Sequence, residues 1–299
     1  MKLEYYLVDV FTKIPFSGNS LTVFPNADKL DKKFMQVITQ EMRQFESIFY
    51  YQTDLNKYKA FIFTIEEELD FAGHPILGLA SVIHNQYSKK NLTNKISIEL
   101  NHKTVDVTTI NKNGYFTATM NQGIPTFINS LNSNQELAFL SDLNLTKDDK
   151  YGDLKMEVIT TGLPYLIVPL KSDSLSKVKV STDDLADKLS KIGAKFFYAL
   201  DIKNKRGRTW DNAGLIEDIA TGSAAGPVGA YIVKNGLEKF NQEIKISQGE
   251  FLNRKSEMRV IVKGNHMAFE NILVEGDVIE IANGKIIDAS NYYNPFSLE

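Results

Sequence analysis

Short runs of apolar, aromatic and β-branched residues dominate the pattern along the chain, and Gly, Pro, Asn or Asp bound most of them. Such runs are typical of β-strands. In the first half, the predicted strands cover residues 5–11, 21–24, 45–51, 58–65, 96–110 and 115–120. After a polar stretch the same texture returns at residues 156–170, 195–202, 243–248, 258–263 and 269–281.

A few segments show helical spacing instead. A helix that begins near Asp31 is predicted to bury one face, formed by Phe34, Val37, Ile38 and Met42. A second helix begins after His74 and repeats apolar residues at Ile76, Leu79, Ala80 and Ile83. A third covers about 223–235 and ends at Gly236, a residue that favours helix C-termini. A shorter helical pattern covers residues 135–142.

The polar stretch from Gln122 to Lys150 is interpreted as a crossover between two domains, assigned to residues 1–125 and 126–299. Whether the last strand returns to the first domain is left open. Many strands with few helices favour an α+β architecture with mostly antiparallel sheets over a doubly wound parallel sheet. Each half contains one apolar helix that begins after a glycine, which suggests two similar domains without proving a duplication.

Composition and charge narrow the function classes. The 299 residues include 34 Lys and Arg against 37 Asp and Glu, a net charge of −3, which argues against a nucleic-acid partner. No uncharged apolar run reaches the ~18 residues that span a bilayer. The first residues do not resemble a targeting peptide. We therefore expect a soluble, cytoplasmic protein without a membrane partner. The chain has no Cys, which excludes disulfides, thiolate metal sites and Cys nucleophiles.

Two glycine-rich strand-to-helix junctions are the first candidate sites, at residues 71–78 and 217–227. The N–H groups at the start of a helix lack intrahelical acceptors and carry partial positive charge, so they can hold a carboxylate or an enolate oxygen. One junction from each domain could clamp a small acidic substrate. The alternative is that both are ordinary helix starts that contain glycine.

Glu46 is the third candidate, because it is a carboxyl group within a strand of aromatic and aliphatic residues. Burial would raise the pKa of such a group toward the range in which it takes and returns protons at neutral pH. Alternation along a strand equally allows its side chain to face water. His74 and Asp218 have similar structural alternatives, a helix cap and a loop carboxylate.

Other motifs are missing from the sequence. The segment after Gly222 is not a dinucleotide fingerprint, and no Lys-Ser or Lys-Thr follows a glycine-rich loop. The four His residues are not at metal-ligand spacing. We therefore expect no metal and no cofactor.

Taken together and in order, the motifs resemble the phenazine-biosynthesis isomerase (PhzF-like) family, whose relatives in fold include diaminopimelate epimerase and proline racemase. The resemblance rests on segments 8–11, 16–24, 46–47, 71–75, 217–224 and 248–256. It implies two similar domains, each a curled sheet wrapped around a central helix, with an active-site cleft between them. It also implies a homodimer.

The resemblance assigns roles to individual residues. Glu46 would be the general acid/base that moves a proton on a small carboxylate-bearing cyclic metabolite, as in the isomerisation of a dihydro-hydroxyanthranilate. His74 and Asp218 would bind the substrate and help manage its protons. Substrate-binding groups would be Gly73, Gly222, Ser223 and Ser47.

Three departures from the family pattern lie where the shape of the substrate pocket is set, so they bear on which substrate is bound. Ser47 stands where the family commonly has Thr, Trp210 where it has Phe, and the closing Gly-Arg-Pro-Ser pattern is reduced to residues 253–256. Without Cys, the two-thiol mechanism of the racemase and epimerase relatives cannot operate. The alternative to an isomerase is a non-catalytic small-molecule-binding protein that retains the fold.

Overall fold

The computed structural model of the chain describes residues 3–287. The chain divides into two compact units. Unit 1 comprises Met1–Met120 together with Glu275–Glu299, and unit 2 comprises Asn121–Val274. The sequence-based boundary between residues 125 and 126 lies close to the first division, and the chain returns to unit 1 at Glu275, the option that the sequence left open. Residues 288–299 of the expected second domain lie outside the described residues.

Unit 1 is rich in strands. In chain order its elements are β1 (Leu3–Val10), β2 (Asn19–Phe24), α1 (Lys32–Met42), β3 (Glu46–Asp54), β4 (Lys57–Thr64), β5 (Glu68–Leu69), α2 (Gly73–Tyr87), β6 (Thr93–Glu99), β7 (Thr104–Asn111) and β8 (Phe116–Gly123). The strands pair in the order β1-β2-β3-β4-β6-β7-β8, and β5 pairs with β4. The β2–β3 and β4–β6 pairs are parallel.

Unit 2 continues with β9 (Thr126–Ser130), α3 (Ser133–Asp142), β10 (Glu157–Thr160), β11 (Pro164–Leu170), α4 (Leu185–Lys191), β12 (Phe196–Asp201), β13 (Arg206–Arg208), α5 (Gly222–Lys234), β14 (Glu243–Gln248) and β15 (Ser256–Asn265). These strands pair in the order β9-β10-β11-β12-β13-β14-β15, with β11–β12 and β13–β14 parallel. The last strand, β16 (Ala268–Ile286), runs from unit 2 into unit 1, where its residues from Val278 onward pair antiparallel with β1. The fold is a mixed one with few helices, and most pairs are antiparallel.

Helix α2 is buried on every side from Gly73 to His84 and packs against β1, β2, β3, β6 and β7. Its sequence explains this position, because a helix that is apolar all round needs a core on all sides. At its buried C-terminal end, His84 bonds through Nδ1 to Thr109 Oγ1 (2.8 Å) and through Nε2 to the Asn91 carbonyl (3.0 Å). In unit 2, α5 is buried from Gly222 to Val233 in the same manner.

Two long apolar runs that the sequence reads as single strands are pairs of strands. The run 96–110 turns between β6 and β7, where the Leu100 N–H donates to the Lys103 carbonyl (2.8 Å). The run 156–170 turns between β10 and β11, where Gly162 has a φ of 154°. The sequence marks both turns, with Asn101, His102 and Lys103 in the first segment and Thr161 and Gly162 in the second, and the single-strand prediction passed over them.

The polar stretch 122–150 is an integral part of unit 2, so its interpretation as a crossover is wrong. It contains β9 and α3, and its scattered apolar side chains enter the core of that unit, at Leu131, Phe139, Leu140, Leu143 and Leu145. Helix α1 begins as expected, with the Asp31 side chain accepting from the Phe34 N–H (2.8 Å). Of the predicted face, Ile38 is buried and Phe34 and Met42 pack against the core, whereas Val37 is 37% exposed and Met35 is buried instead.

Within residues 3–287, no helix combines the length and the apolar character that crossing a membrane requires.

Gly78 sets how closely α2 approaches β1 and β2. A Cβ at this position would lie 2.4 Å from Leu21 Cδ2 and 3.2 Å from Val10 Cγ2, and both side chains are fully buried. We expect Gly78→Ala to lower the free energy of unfolding by about 1–3 kcal/mol, since overpacking a rigid core costs about that much.

A double-mutant cycle in urea tests this expectation. Leu21→Val removes the Cδ atoms that meet the new methyl group, so the double variant should be less destabilised than the sum of the single variants. Strict additivity would show that the close approach at Gly78 does not limit the packing of α2.

Candidate active site

Glu46 is the first residue of β3, where it lies between Leu21 of β2 and Thr64 of β4. Its side chain is buried, with 6% exposure, so of the two orientations that the sequence allowed the structure has the inward one. The next residue, Ser47, is fully buried, and its Oγ lies 2.8 Å from Thr22 Oγ1. Because successive strand side chains point to opposite faces, Ser47 faces away from Glu46.

His74 lies in the first turn of α2, directly after Gly73, and is 3% exposed. Its Nδ1 is 3.4 Å from Glu46 Oε2 and 3.4 Å from Asn19 Nδ2. Its other nitrogen, Nε2, is also buried and has no hydrogen-bond partner among the residues that the structure describes. A buried polar atom in this condition is costly unless water or a ligand bonds it. The structure thus brings together Glu46, His74 and Asn19, and the sequence had given no role to Asn19.

Burial keeps the His74 imidazole neutral. Removal from water lowers the pKa of His74 to about 3, because a low-dielectric environment disfavours the charged form. Glu46 therefore contacts a neutral ring. Whether this contact is attractive depends on which atoms of the two side chains carry hydrogens.

Asn19 reaches His74 because the loop before β2 is held tightly. Gly18 has a φ of +67°, and a Cβ there would lie 2.4 Å from the Val10 carbonyl oxygen. On the same side, Asp9 accepts from the Phe16 N–H (2.7 Å) and from Ser20 Oγ (2.8 Å). The sequence signal for this site was the Gly18-Asn19-Ser20 segment, which carries the family resemblance but indicates no role for Asn19 by itself.

In unit 2, Asp218 lies four residues before the start of α5 and is held in a polar network. Its Oδ2 accepts from Thr221 Oγ1 (2.6 Å). Gln248 donates through Nε2 to the Asp218 carbonyl (2.8 Å) and to Thr221 Oγ1 (3.0 Å), and its Oε1 accepts from the Thr221 N–H (3.2 Å) and from Tyr198 OH (3.1 Å). Burial, followed by the nearby Asp218 charge, raises the pKa of Tyr198, so its hydroxyl stays a donor.

The start of α5 is supported from a second side. Gln122 donates to the Gly222 carbonyl (2.9 Å) and accepts from Thr161 Oγ1 (2.9 Å). Ser223 is buried, and its Oγ lies 2.7 Å from Tyr165 OH. Gly222 and Ser223 are thus placed at a helix N-terminus, as the sequence predicted. Sequence reasoning missed the supporting side chains, because glutamines and tyrosines distant in the chain give no local signal.

Trp210, one of the residues that depart from the family pattern, has structural partners in unit 2. Trp210 stacks on Phe197 with ring centroids 6.0 Å apart. Arg208 lies between the Trp210 and Phe251 rings, at 4.4 and 4.2 Å, and bonds Glu217 through two nitrogens at 2.8 and 2.7 Å. These contacts explain why a large aromatic residue is accommodated at position 210. Among residues 3–287, no three His, Asp or Glu side chains are grouped as a metal ion would require.

The sequence of residues 8–284 matches the family model of phenazine biosynthesis-like proteins (PhzC-PhzF). The chain belongs to this family. It is 30% identical over 289 residues to the uncharacterized isomerase YddE of Escherichia coli K12, covering 93% of this chain and 96% of that protein. It is also 30% identical over 296 residues to the trans-2,3-dihydro-3-hydroxyanthranilate isomerase of Pseudomonas fluorescens, covering 95% and 99%. The predictions of this family and of an isomerase are confirmed.

Solved structures agree with this assignment. A predicted epimerase from Pseudomonas aeruginosa superposes with a TM-score of 0.90 at 38% identity, covering 96% of this chain and 99% of that one. A hydroxyproline epimerase from Agrobacterium vitis superposes with a TM-score of 0.64 at 10% identity, covering 95% and 92%. The second likeness shows that this epimerase shares the fold.

The burial of His74 predicts a defined pH dependence of stability. Its pKa falls from 6.5 to about 3 on folding, so below pH 6.5 the unfolded chain binds a proton that the folded chain does not. This contribution to stability is complete above pH 6.5 and is lost as the pH falls toward 3. Between pH 7 and pH 5 it amounts to about 2 kcal/mol.

Urea unfolding at the two pH values measures this contribution. We expect His74→Asn to reduce the loss of unfolding free energy between pH 7 and pH 5 by about that amount. The matched control is His102→Asn, which removes an imidazole that is 78% exposed and should leave the wild-type loss unchanged. An unreduced loss in His74→Asn would contradict the neutral, buried state of His74.

Proposed function

We propose that this protein is a cofactor-free isomerase in which Glu46 moves a proton on a small carboxylate-bearing cyclic metabolite. The observation that supports it is the buried contact of Glu46 with a neutral His74. The His74 Nε2 atom makes no hydrogen bond to the described residues and so can bind a ligand. This pair combines a proton carrier with a hydrogen-bonding group that does not itself become charged near neutral pH.

The reaction is a proton transfer with two steps. The Glu46 carboxylate removes a proton from a carbon next to an unsaturated system, and the electron pair of the broken C–H bond moves into that system. Glu46 then returns the same proton to another carbon of the conjugated system. A side chain that accepts the proton in the first step and donates it in the second acts as a general base and then as a general acid.

The helix starts supply anion recognition. The N–H groups at the start of α2, around Gly73, are suited to a substrate carboxylate or a developing oxyanion. In unit 2, the proposed role of Gly222 and Ser223 is likewise to bind the substrate. The proposed role of Asp218 is to hydrogen-bond the substrate. We also propose that the two units are the two epimerase-like domains, each a sheet curled around its buried helix, α2 or α5.

A single carboxyl group is the proton carrier that this chain offers within the fold. A two-thiol mechanism needs two Cys residues, and the sequence contains none. The Pseudomonas fluorescens relative is named for a dihydro-hydroxyanthranilate, which is a hydroxylated cyclic amino acid. We propose a substrate of this chemical class, while the fold alone does not fix its identity.

The proposal predicts isotope exchange that depends on Glu46. In heavy water, trans-2,3-dihydro-3-hydroxyanthranilate or a related hydroxylated cyclic carboxylate should take up deuterium at carbon. Mass spectrometry measures this uptake. We expect Glu46→Gln to slow this exchange roughly 10²- to 10⁴-fold, the usual contribution of a general acid/base.

Glu99→Gln is the matched control, because it makes the same change at the end of β6, where the side chain is 59% exposed and pairs with Lys59. It should retain exchange within a few-fold of the wild type. Exchange by Glu46→Gln at the wild-type rate would show that another group is the base. Tight binding of the carboxylate without exchange in the wild type, unchanged in Glu46→Gln, would favour the non-catalytic binding protein.

A further inference from the structure

One ring nitrogen of His74 meets two polar groups from different elements. Asn19 Nδ2, at the start of β2, and Glu46 Oε2, at the start of β3, each lie 3.4 Å from Nδ1. A neutral imidazole has one N–H and one lone pair. The two contacts together therefore restrict which nitrogen carries the hydrogen.

The two tautomers differ in how many of these contacts they satisfy. If the hydrogen is on Nδ1, that N–H can donate to Glu46, but it points at the donor amide of Asn19. If the hydrogen is on Nε2, the Nδ1 lone pair accepts from the Asn19 amide. Of the two contacts at Nδ1, the one with Asn19 has hydrogen-bond geometry, and only the second tautomer satisfies that donor.

We propose that Asn19 is a positioning residue that holds neutral His74 as the Nε2–H tautomer, so that the ring presents a hydrogen-bond donor to the ligand. Asn19 is suited to this task because it is fully buried and pairs with Val10 across β1 and β2. Its amide therefore cannot be exchanged for water, and the preceding Gly18 turn fixes its direction.

The tautomer has consequences for the reaction, and these rest on the proposed function. The substrate atom next to His74 Nε2 must be an acceptor, such as a carbonyl, carboxylate or hydroxyl oxygen or an amine lone pair. In addition, a Glu46 carboxylate that faces a lone pair receives no hydrogen bond from the ring. That arrangement makes Glu46 a stronger base than it would be beside an Nδ1–H donor.

Nitrogen NMR of the unliganded protein tests the proposal without any substrate. Two-bond ¹H–¹⁵N correlation spectra of ¹⁵N-labelled protein at pH 7 distinguish the two tautomers of each His, and the His74 signals are those lost in His74→Gln. We expect the Nε2–H pattern for His74 in the wild type. Asn19→Asp replaces the donor amide by an acceptor of the same shape and should shift His74 to the Nδ1–H pattern.

Asn111→Asp, a change of the same kind at the end of β7, is the control and should leave the His74 pattern unchanged. An Nδ1–H pattern in the wild type would overturn the proposal, and so would a Nε2–H pattern that persists unchanged in Asn19→Asp. Should Asn19→Asp fail to fold by circular dichroism, Asn19→Ala takes its place. A mixture of both tautomers is then expected, and an undiminished Nε2–H pattern would overturn the role of Asn19.

A second readout connects the tautomer to activity. In the heavy-water assay, Asn19→Asp should lower kcat on the order of 10- to 100-fold, whereas Asn111→Asp should match the wild type. If no substrate exchanges with the wild type, the proposed function fails while the NMR result still decides the tautomer. If exchange depends on Glu46 but Asn19→Asp retains the wild-type kcat, the positioning role fails and the proposed function stands.

Discussion

The burial of His74 against Glu46 is the constraint on which the rest of unit 1 depends. Three elements must meet at this point: the end of the loop before β2, the first residue of β3 and the first turn of α2. The meeting requires α2 to lie very close to β1 and β2, and this closeness is possible because position 78 has no side chain. The same burial that the helix needs for its apolar surface removes His74 from water and keeps it neutral.

The two helix starts are built differently although both begin with glycine. At α5, side chains from several elements close the junction, because Gln248 and Gln122 fix the main chain around Thr221 and Gly222. At α2, the residue before the helix, Ala72, provides no side-chain cap, and a buried ring nitrogen of His74 is left without a partner among residues 3–287. The start of α5 is thus tied to side chains from other elements, whereas the start of α2 presents a buried polar atom of His74 that makes no hydrogen bond to the described residues.

The sequence predicted the elements better than their connections. Periodicity located α2 and α5, because an unbroken apolar pattern that begins after a glycine has few other solutions. It missed the hairpin turns within residues 96–110 and 156–170, because the breaks at residues 101–103 and 161–162 are only two or three residues long and lie between two strands of the same β-type composition. It misjudged residues 122–150, where core side chains such as Leu131 and Leu140 are separated by polar residues that face solvent.

The site could be predicted only in part for a similar physical reason. Glu46 and His74 could be singled out because each lies in a distinctive local setting, a carboxyl group in an apolar strand and an imidazole at a helix start, and the structure places them 3.4 Å apart. The contribution of Asn19 depends on a distance between residues far apart in the chain, and that of Gln248 on four hydrogen bonds to three other residues. Neither leaves a pattern that periodicity or spacing can detect.

A single-carboxyl isomerase imposes a requirement that a two-thiol enzyme does not. The same group must accept the proton in one step and give it back in the next, so neither of its forms can be strongly favoured. A positively charged imidazole 3.4 Å from Glu46 would stabilise the carboxylate and make it a poor base. Burial prevents this outcome by keeping His74 neutral. In a chain without Cys, the depth at which the first turn of α2 is buried is therefore part of the proposed chemistry, and the packing that fixes α2 also adjusts the base.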